Sequence, residues 1–212
     1  MAEILRQRVF DGELRPGDRI NVDALAVELG VSRVPVREAL IGMARDGLVV
    51  MRRHQGVYVG DFDAGVLRDH FEILGMIQGM AAAHLVEAGQ TPIIERLGEI
   101  ISRLEVTISV EEVHALGTEF HRIINHEGAT SRERSVLRAL ARMLPTGFIL
   151  QIENAEELTR QGIRRIYEAI QSGDSEETRR ACSEVQRGRG ELVIAHLRKH
   201  EVLSREEKLG LE

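Results

Sequence analysis

Residues 21–59 read NVDALAVELGVSRVPVREALIGMARDGLVVMRRHQGVYV. Two short segments with apolar residues at helical spacing flank Gly30, and each begins with a residue type that caps helices. Asp23 is the predicted cap of the first helix, and Ser32 is the predicted cap of the second, which has Pro35 in its first turn. Gly30 can adopt the left-handed conformation that ends a helix. The pattern therefore predicts two helices joined by a tight turn.

The second of these helices has two different faces. Val36, Leu40 and Met43 recur at a spacing of three and four residues, so this face is predicted to pack on a core. The opposite face carries Arg33 and Arg37. The alternative interpretation of these two arginines is a solvated helix surface, since charged helix faces usually have no further role.

After Gly47 the pattern changes from helical to extended. Two β-rich runs, 48–51 and 57–59, flank a polar loop that contains Arg52, Arg53 and Gly56, which predicts a β-hairpin. Two helices followed by a hairpin are the elements of a winged helix-turn-helix, a fold that binds DNA. Basic side chains at a hairpin tip suit contacts with phosphates or the minor groove. The alternative is a charged turn that is only solvated surface.

The charge of the chain is distributed unevenly. The net charge of −6 weighs against a nucleic-acid-binding protein. Between residues 33 and 53, however, five arginines stand against two acids. A small positive face on an otherwise acidic protein favours site-specific contact over strong non-specific adhesion to DNA.

The remainder of the chain is predicted to be helical, because its apolar residues recur at three- and four-residue spacing. The predicted helices span residues 67–87, 91–108, 110–126, 132–151, 156–172 and 175–199. The run Arg187-Gly188-Arg189-Gly190 is expected to interrupt the last of them, since each Gly costs a helix about 1 kcal/mol relative to Ala. A hinge or a close helix crossing would explain these glycines. About six helices with short connections predict a bundle.

The predicted fold class is therefore mainly α, with an N-terminal winged helix-turn-helix and a C-terminal all-α bundle. A chain of 212 residues can bury two modest cores. The expected domains are residues 1–60 for DNA binding, a linker over 61–66, and residues 67–212 for effector binding and dimerisation. No run approaches the roughly 18 apolar residues of a membrane span, and the first residues lack a signal-peptide pattern, so a cytoplasmic protein is expected. The single cysteine, Cys182, is expected to be a buried filler.

Several clusters between residues 12 and 48 resemble the N-terminal domain of the GntR family of bacterial transcription regulators. They read GELRPGDRI at 12–20, LGVSR at 29–33, PVREAL at 35–40 and DGL at 46–48. The resemblance implies that the start of the second helix binds bases and phosphates and that the wing tip enters the minor groove. The DNA-binding residues it implies are Ser32, Arg33, Pro35, Arg37, Arg53, Gln55 and Gly56. Relatives that contact DNA have an arginine where this chain has Asp23. They also carry a longer segment before Ile4, so the first helix is expected to be short.

The helical part resembles the FadR-like (FCD) branch of that family in the runs Phe71-Glu72-Ile73, Glu119-Phe120-His121-Arg122 and Ala169-Ile170-Gln171-Ser172-Gly173-Asp174. In this branch the helical domain binds a small effector, commonly a carboxylate, and many members use a metal held by an Asp and three His. His121 matches the first of these histidines. The Asp position is occupied by Gly117, and the later histidines fall at about Ile163 and Val185. An arginine and a glutamate of the branch correspond to Leu74 and Gln78.

Two interpretations of the effector site follow. In the first, the site has no metal, and Leu74, Gln78 and His121 line a more apolar pocket for an acyl compound. In the second, His121 is a metal ligand and other histidines rebuild a Zn, Mn or Ni site for an organic acid. The additional candidate ligands are His84, His114, His126 and His196, of which His114 lies two helical turns from His121.

The expected function is a transcription regulator, more often a repressor in this family, that binds a palindromic operator as a homodimer and senses a small molecule. The first alternative is a metal-dependent hydrolase, but His121 has no carboxylate three or four residues away and no phosphate-binding loop, CxxC pair, HExxH pattern or serine elbow occurs. The second alternative, a helical scaffold without DNA binding, would leave the arginines of the recognition helix and wing unexplained.

Overall fold

The structure is a computed structural model that describes residues 1–53, 55–60 and 63–203. His54 of the predicted wing loop, Asp61 and Phe62 of the predicted linker, and the residues from 204 onward lie outside the described residues. The chain divides into two compact units. Among the described residues, the N-terminal unit comprises those of 1–67, 141–148 and 194–203, and the bundle unit comprises Arg68–Leu140 and Ile149–Val193.

The N-terminal unit contains a helix-turn-helix and a small sheet. In chain order its elements are α1 (Ala2–Phe10), β1 (Arg19–Ile20), α2 (Val22–Glu28), α3 (Arg33–Arg45), β2 (Val49–Arg52) and β3 (Gly56–Val59). The predicted hairpin is formed by β2 and β3, which pair with Met51 opposite Val57. On the other side of β3 lies β1, with Arg19 opposite Tyr58, so the antiparallel order is β1-β3-β2. This third strand was not predicted, because two residues are too few for an alternating pattern.

The predicted helix-turn-helix is present, with one change at its start. The Asn21 side chain accepts hydrogen bonds from the backbone N–H groups of Asp23 and Ala24 at 3.0 and 3.1 Å. The prediction that Asp23 caps α2 is therefore wrong, because Asn is an equally good cap and lies two residues earlier. Gly30 has the predicted left-handed conformation, with φ of 65°. Ser32 occupies the cap position of α3 without a capping hydrogen bond from its side chain.

The core of the N-terminal unit lies between α1 and α3. The predicted core residues of α3, namely Val36, Leu40 and Met43, are fully buried. The Arg6 guanidinium of α1 donates to the Asp46 carboxylate at 2.9 Å, and both side chains are about nine-tenths buried. A buried pair of this kind fixes orientation more than it adds stability. It therefore sets the end of α3 relative to α1.

Helices α4 to α9 form the predicted bundle. They are α4 (Ala64–Glu87), α5 (Thr91–Val106), α6 (Val110–Ile123), α7 (Ser131–Leu140), α8 (Ala155–Gln171) and α9 (Ser175–Lys199). A π-helical turn, Ile124–Gly128, follows α6, and a 3-10 turn, Phe148–Gln151, precedes α8. Helix α4 begins three residues before the predicted start because the Asp63 carboxylate accepts from the Val66 N–H at 2.8 Å and caps it. The mainly helical fold class is confirmed.

Two predictions about the bundle helices are wrong. The predicted helix 132–151 ends at Leu140, because Pro145 lacks an N–H group and Gly147 has a φ of 73°. The predicted interruption of the last helix does not occur, since α9 continues through both Gly188 and Gly190. A Cβ atom on Gly190 would lie 2.9 Å from the Phe71 ring of α4. This glycine therefore serves a close helix crossing.

The bundle core is apolar and contains the single cysteine. Leu97, Leu104, Phe120 and Ile166 have no exposed surface. Cys182 is equally buried, and burial raises the pKa of its thiol to about 12. The thiol is therefore protonated, as expected for a filler. Across the described ranges, no helix is both long and apolar enough to cross a membrane.

Candidate nucleic-acid interface and ligand cavity

The exposed face of α3 carries the two arginines predicted to read DNA. Arg33 and Arg37 are both exposed. The Arg33 Nε atom lies 2.7 Å from the Asp23 carboxylate at the start of α2, and both side chains are more than half exposed. The acid that stands in place of the relatives' arginine therefore pairs with one of the predicted DNA-binding arginines. Arg37 is left available to solvent.

The wing is the β2–β3 hairpin, and its tip is shaped by a tyrosine and a glycine. The Arg52 guanidinium lies 4.7 Å from the centre of the Tyr58 ring, within cation–π distance. The Tyr58 hydroxyl donates to the Gln55 carbonyl at 3.2 Å. Gly56 has a φ of 114°, and a Cβ atom there would lie 3.3 Å from Arg19 Nε. A side chain at this position would therefore be strained and would displace an arginine.

A groove of about 970 Å³ lies between the start of α2, α3 and the wing. Its described lining contains one acid, Asp23, and four arginines: Arg19, Arg37, Arg52 and Arg53. The excess of arginines over acids makes the groove positively charged, which favours the binding of a polyanion.

The predicted DNA-binding residues are distributed around this groove. Arg37, Arg53 and Gly56 line it, whereas Ser32, Arg33, Pro35 and Gln55 do not. Sequence reasoning did not include Arg19 and Arg52 in the site. Arg52 was visible as part of the basic loop, but Arg19 reaches the groove through the short strand β1, which gives no periodic signal.

A second candidate site is a cavity in the bundle unit between α6, α8, α9 and the 3-10 turn. It encloses about 30 Å³. The polar side chains in its wall are His114, Thr118, His121, Thr159 and Arg189. The apolar side chains are Ile149, Ala155, Leu158, Ile163, Val185 and Leu192.

The four positions at which the family resemblance implies metal ligands all line this cavity. Gly117, His121, Ile163 and Val185 converge there, although three of them cannot coordinate a metal. An Asp at Gly117 would also not fit, because its Cβ atom would lie 2.6 Å from Thr159 Cγ2. Nowhere in the described part of the chain do three His, Cys, Asp or Glu side chains converge as a metal site would require. The residues of this cavity therefore do not fit the metal.

The other predicted effector and metal residues lie away from the cavity. Gln78 donates to the Asn125 side chain at 3.0 Å and accepts from Gln186 Nε2 at 2.6 Å. Leu74 packs against the bundle core. His84 Nδ1 lies 3.1 Å from the Gly128 carbonyl. His126 is exposed, and His196 belongs to the N-terminal unit. Of the histidines proposed to rebuild a metal site, His114 alone shares the cavity with His121.

The polar side chains of the cavity have unusual electrostatics. Burial, with a smaller contribution from the charge of Arg189, lowers the pKa of His121 to about 3. The same two causes lower the pKa of His114. Both imidazoles are therefore neutral at physiological pH. Burial also lowers the pKa of Arg189, but a guanidinium starts so high that it stays charged at neutral pH.

Two groups in the cavity lack partners. The Nδ1 atom of His121 is buried and has no hydrogen-bond partner among the described residues. Arg189 forms no hydrogen bond or ion pair with any residue that the structure describes. Sequence reasoning missed Arg189. A signal was present, since Val185, Arg189 and Leu192 recur at i, i+4 and i+7, which places a charged residue in an apolar stripe of α9.

Comparisons with known proteins agree with this architecture. The model of the gntR family of bacterial regulatory proteins matches residues 1–59, and that of the FCD domain matches residues 69–187. An uncharacterized HTH-type transcriptional regulator of Mycobacterium tuberculosis is 33% identical over 192 residues, which cover 87% of this chain and 74% of that protein. The gluconate operon transcriptional repressor of Bacillus subtilis is 25% identical over 123 residues, 58% of this chain and 49% of its own.

Among solved structures, Escherichia coli McbR/YncC aligns with a TM-score of 0.61 and 23% identity, and the alignment covers 94% of this chain and 96% of that one. This likeness shows a shared fold. Together with the domain matches and the mycobacterial relative, the winged helix-turn-helix and the helical bundle identify the chain as a member of the GntR family of bacterial transcription regulators, with an FCD domain.

Proposed function

We propose that this regulator is a repressor that binds a palindromic operator as a homodimer and that a small metabolite bound in the bundle cavity alters this binding. The observation that carries the proposal is the groove with four arginines and one acid beside the exposed face of α3. One winged domain covers only a half-site, so a specific site requires two copies. The relative named as the gluconate operon repressor supports repression as the outcome.

The proposed DNA contacts follow from the exposure of the residues. Arg33 and Arg37, on the solvent face of α3, would read base edges in the major groove, where bidentate arginine contacts select guanine. Ser32 and Pro35, at the start of α3, would approach the phosphates. The wing residues Arg53, Gln55 and Gly56 would enter the minor groove. We therefore assign DNA binding to residues 1–60. Because the operator lies on the bacterial chromosome, the protein would act in the cytoplasm.

The second copy is proposed to dock on α4. Ile73, Met76 and Met80 lie at i, i+3 and i+7 on this helix and are 46%, 57% and 40% exposed. An apolar stripe on a helix is costly to leave in water, and the same stripe on a second copy is self-complementary about a twofold axis. Residues 67–212 would then supply both dimerisation and the effector site. Effector binding would change operator affinity only if one conformation of the dimer binds it more tightly.

The proposal can be tested by selecting an operator from genomic DNA and measuring its affinity by fluorescence anisotropy. Arg37→Ala is expected to weaken operator binding by about 1–3 kcal/mol, because it removes one base-reading side chain. Arg122→Ala is the matched control, since Arg122 is a similarly exposed arginine on α6. A complex of two chains per operator is expected. Unchanged operator binding by Arg37→Ala would refute the assignment of α3 as the recognition helix.

A further inference from the structure

We propose that the 3-10 turn Phe148–Gln151 couples the bundle cavity to α3, because the turn forms part of the cavity wall and is connected through α1 to the end of α3. This inference rests on the proposed function and deepens it, since it names the residues that would transmit a change in the cavity to the proposed recognition helix.

The division between the two units falls inside this turn. Phe148 is 1% exposed and belongs to the N-terminal unit, whereas the next residue, Ile149, is 6% exposed and lines the cavity. The Phe148 N–H donates to the Pro145 carbonyl at 3.1 Å. At the other end of the turn, the Ile152 N–H donates to the Ile149 carbonyl at 3.1 Å. Successive side chains of such a turn point about 120° apart, so displacement of Ile149 would also displace Phe148.

A ligand could not enter this cavity unless part of the wall moved. The cavity encloses about 30 Å³, which gives room for about two water molecules. Three sides of the wall are the regular helices α6, α8 and α9, and the fourth is the turn. Gly147 before the turn and Asn154 after it both have left-handed backbone conformations, with φ of 73° and 62°. Hinges consist of a few such residues outside regular elements, so the turn is the side that is expected to yield.

The side chain of Phe148 packs directly on α1. Its ring centroid lies 4.9 Å from that of Phe10 in an edge-to-face arrangement, and Phe10 is also buried. The Phe148 ring contacts His196 of α9 as well, with the centroids 5.5 Å apart. Because a protein interior is close-packed, a shift of Phe148 would either move α1 or open a void beside it.

A polar relay, Thr146–Glu3–Arg6–Asp46, runs beside this aromatic contact and reaches α3. The Thr146 N–H donates to the Glu3 carboxylate, which also accepts from the Arg6 guanidinium at 3.3 Å. Arg6 in turn donates at 2.9 Å to the carboxylate of Asp46, the C-terminal cap residue of α3. Breaking a buried pair such as Arg6 and Asp46 leaves an uncompensated charge, so these two residues would move together. The position of α3 would thus follow that of the turn.

The test is a double-mutant cycle in the full chain, with operator affinity measured by fluorescence anisotropy. Ile149→Trp stands in for a ligand, because the larger side chain overfills the cavity and displaces the turn. It is expected to weaken operator binding about fivefold, and Glu3→Ala, which removes the relay, about threefold. Because both act through α1, the double variant should lose much less than the product, about fifteenfold.

Gln7→Ala is the matched control for Glu3→Ala. Gln7 also lies on α1, but its side chain donates to Asp11 at 2.8 Å and takes no part in the relay. Its effect on operator affinity should simply multiply with that of Ile149→Trp, as for two independent sites.

Amide hydrogen exchange without DNA is the second readout. Ile149→Trp should raise the exchange rate of the α1 amides about fivefold or more and leave that of α5, which does not line the cavity, unchanged. A local increase of this kind separates coupling from general destabilisation. Should Ile149→Trp fail to fold, Ile149→Ala serves instead, because it removes the side chain that anchors the turn in the cavity wall.

The inference is overturned if α1 exchange is unchanged in the Ile149 variants, if exchange rises equally in α1 and α5, or if the effects of Ile149→Trp and Glu3→Ala on operator affinity multiply. A wild-type protein that binds no operator would refute the proposed function, and the exchange of α1 would still decide the coupling. Normal operator binding by wild type with unchanged α1 exchange in the variants would refute this inference alone.

Discussion

The groove of the N-terminal unit and the cavity of the bundle unit both depend on arginine, but in opposite surroundings. In the groove, four exposed arginines share about 970 Å³ of open space. In the cavity, one arginine shares about 30 Å³ with apolar walls and neutral imidazoles. An exposed arginine can remain unpaired at little cost because water solvates it. Arg189 is only partly buried, but it has no hydrogen-bond or ion-pair partner among the described residues, so the protein does not replace the hydration that it loses.

This difference separates two kinds of selectivity. The groove favours a polyanion through the number of its cations, and α3, as the proposed recognition helix, would add specificity by reading base edges. The cavity has a single cation in its described wall and little volume, so it cannot attract a polyanion in this way. The two sites should therefore respond differently to salt, to added volume and to removal of a nearby acid.

The largest expected effect is that of salt on the groove. Raising NaCl from about 50 to 200 mM should lower operator affinity about a thousandfold, the effect of roughly six neutralised phosphates. Operator affinity is measured across this salt series by fluorescence anisotropy.

Sodium acetate in place of NaCl supplies a control for this series. Acetate screens the charges of the groove as chloride does, so operator affinity should fall with the same slope. A fall in operator affinity of less than about tenfold across the series would contradict the assignment of the groove as the DNA-binding site.

An intermediate effect is expected from adding one methyl group to either of two helical glycines. A Cβ atom on Gly117 would lie 2.6 Å from Thr159 Cγ2, in the cavity wall. Gly117→Ala should therefore lower the free energy of unfolding by about 1–3 kcal/mol, the usual cost of overpacking, because the β-branched Thr159 cannot turn away freely.

Gly188→Ala is the matched control for this substitution. A Cβ atom on Gly188 meets nothing within 4 Å, and the residue lies inside α9. Alanine there should raise the free energy of unfolding by up to about 1 kcal/mol, the difference in helix propensity. Thermal unfolding of both variants shows whether each substitution stabilises or destabilises the protein. If both variants are destabilised, or if neither is, the packing around Gly117 is no tighter than the packing around Gly188.

The groove could largely be predicted from the sequence, whereas the cavity could not. The determinants of the groove are local: the Gly30 turn, the Val36, Leu40 and Met43 stripe, and a hairpin within one stretch of chain. The exception is Arg19, which joins the groove only through the pairing of β1 with β3.

The cavity is assembled from residues spread between positions 114 and 192, on three helices and a 3-10 turn. Position 117 could be matched to a metal ligand, yet only the fold shows that Thr159 fills the space that an Asp would need. Likewise, the sequence predicts a helix break at Gly188 and Gly190, and only the structure shows that Phe71 packs against Gly190. Arg189 lies between these two glycines, and only the structure shows that it lines the cavity without a hydrogen-bond or ion-pair partner among the described residues.

The smallest expected effect concerns the acid in the groove. Asp23 pairs with Arg33 at 2.7 Å, so Arg33 must leave this carboxylate before it can contact DNA. Asp23→Asn should strengthen operator binding about two- to fivefold, the range that an exposed ion pair contributes.

Glu28→Gln is the control, because Glu28 is also exposed on α2 but pairs with Arg8 of α1 outside the groove. If both substitutions raise operator affinity equally, the gain comes from net charge alone. If Asp23→Asn weakens binding, the carboxylate instead holds Arg33 in the orientation that reads DNA, and the acid would then be part of the recognition surface.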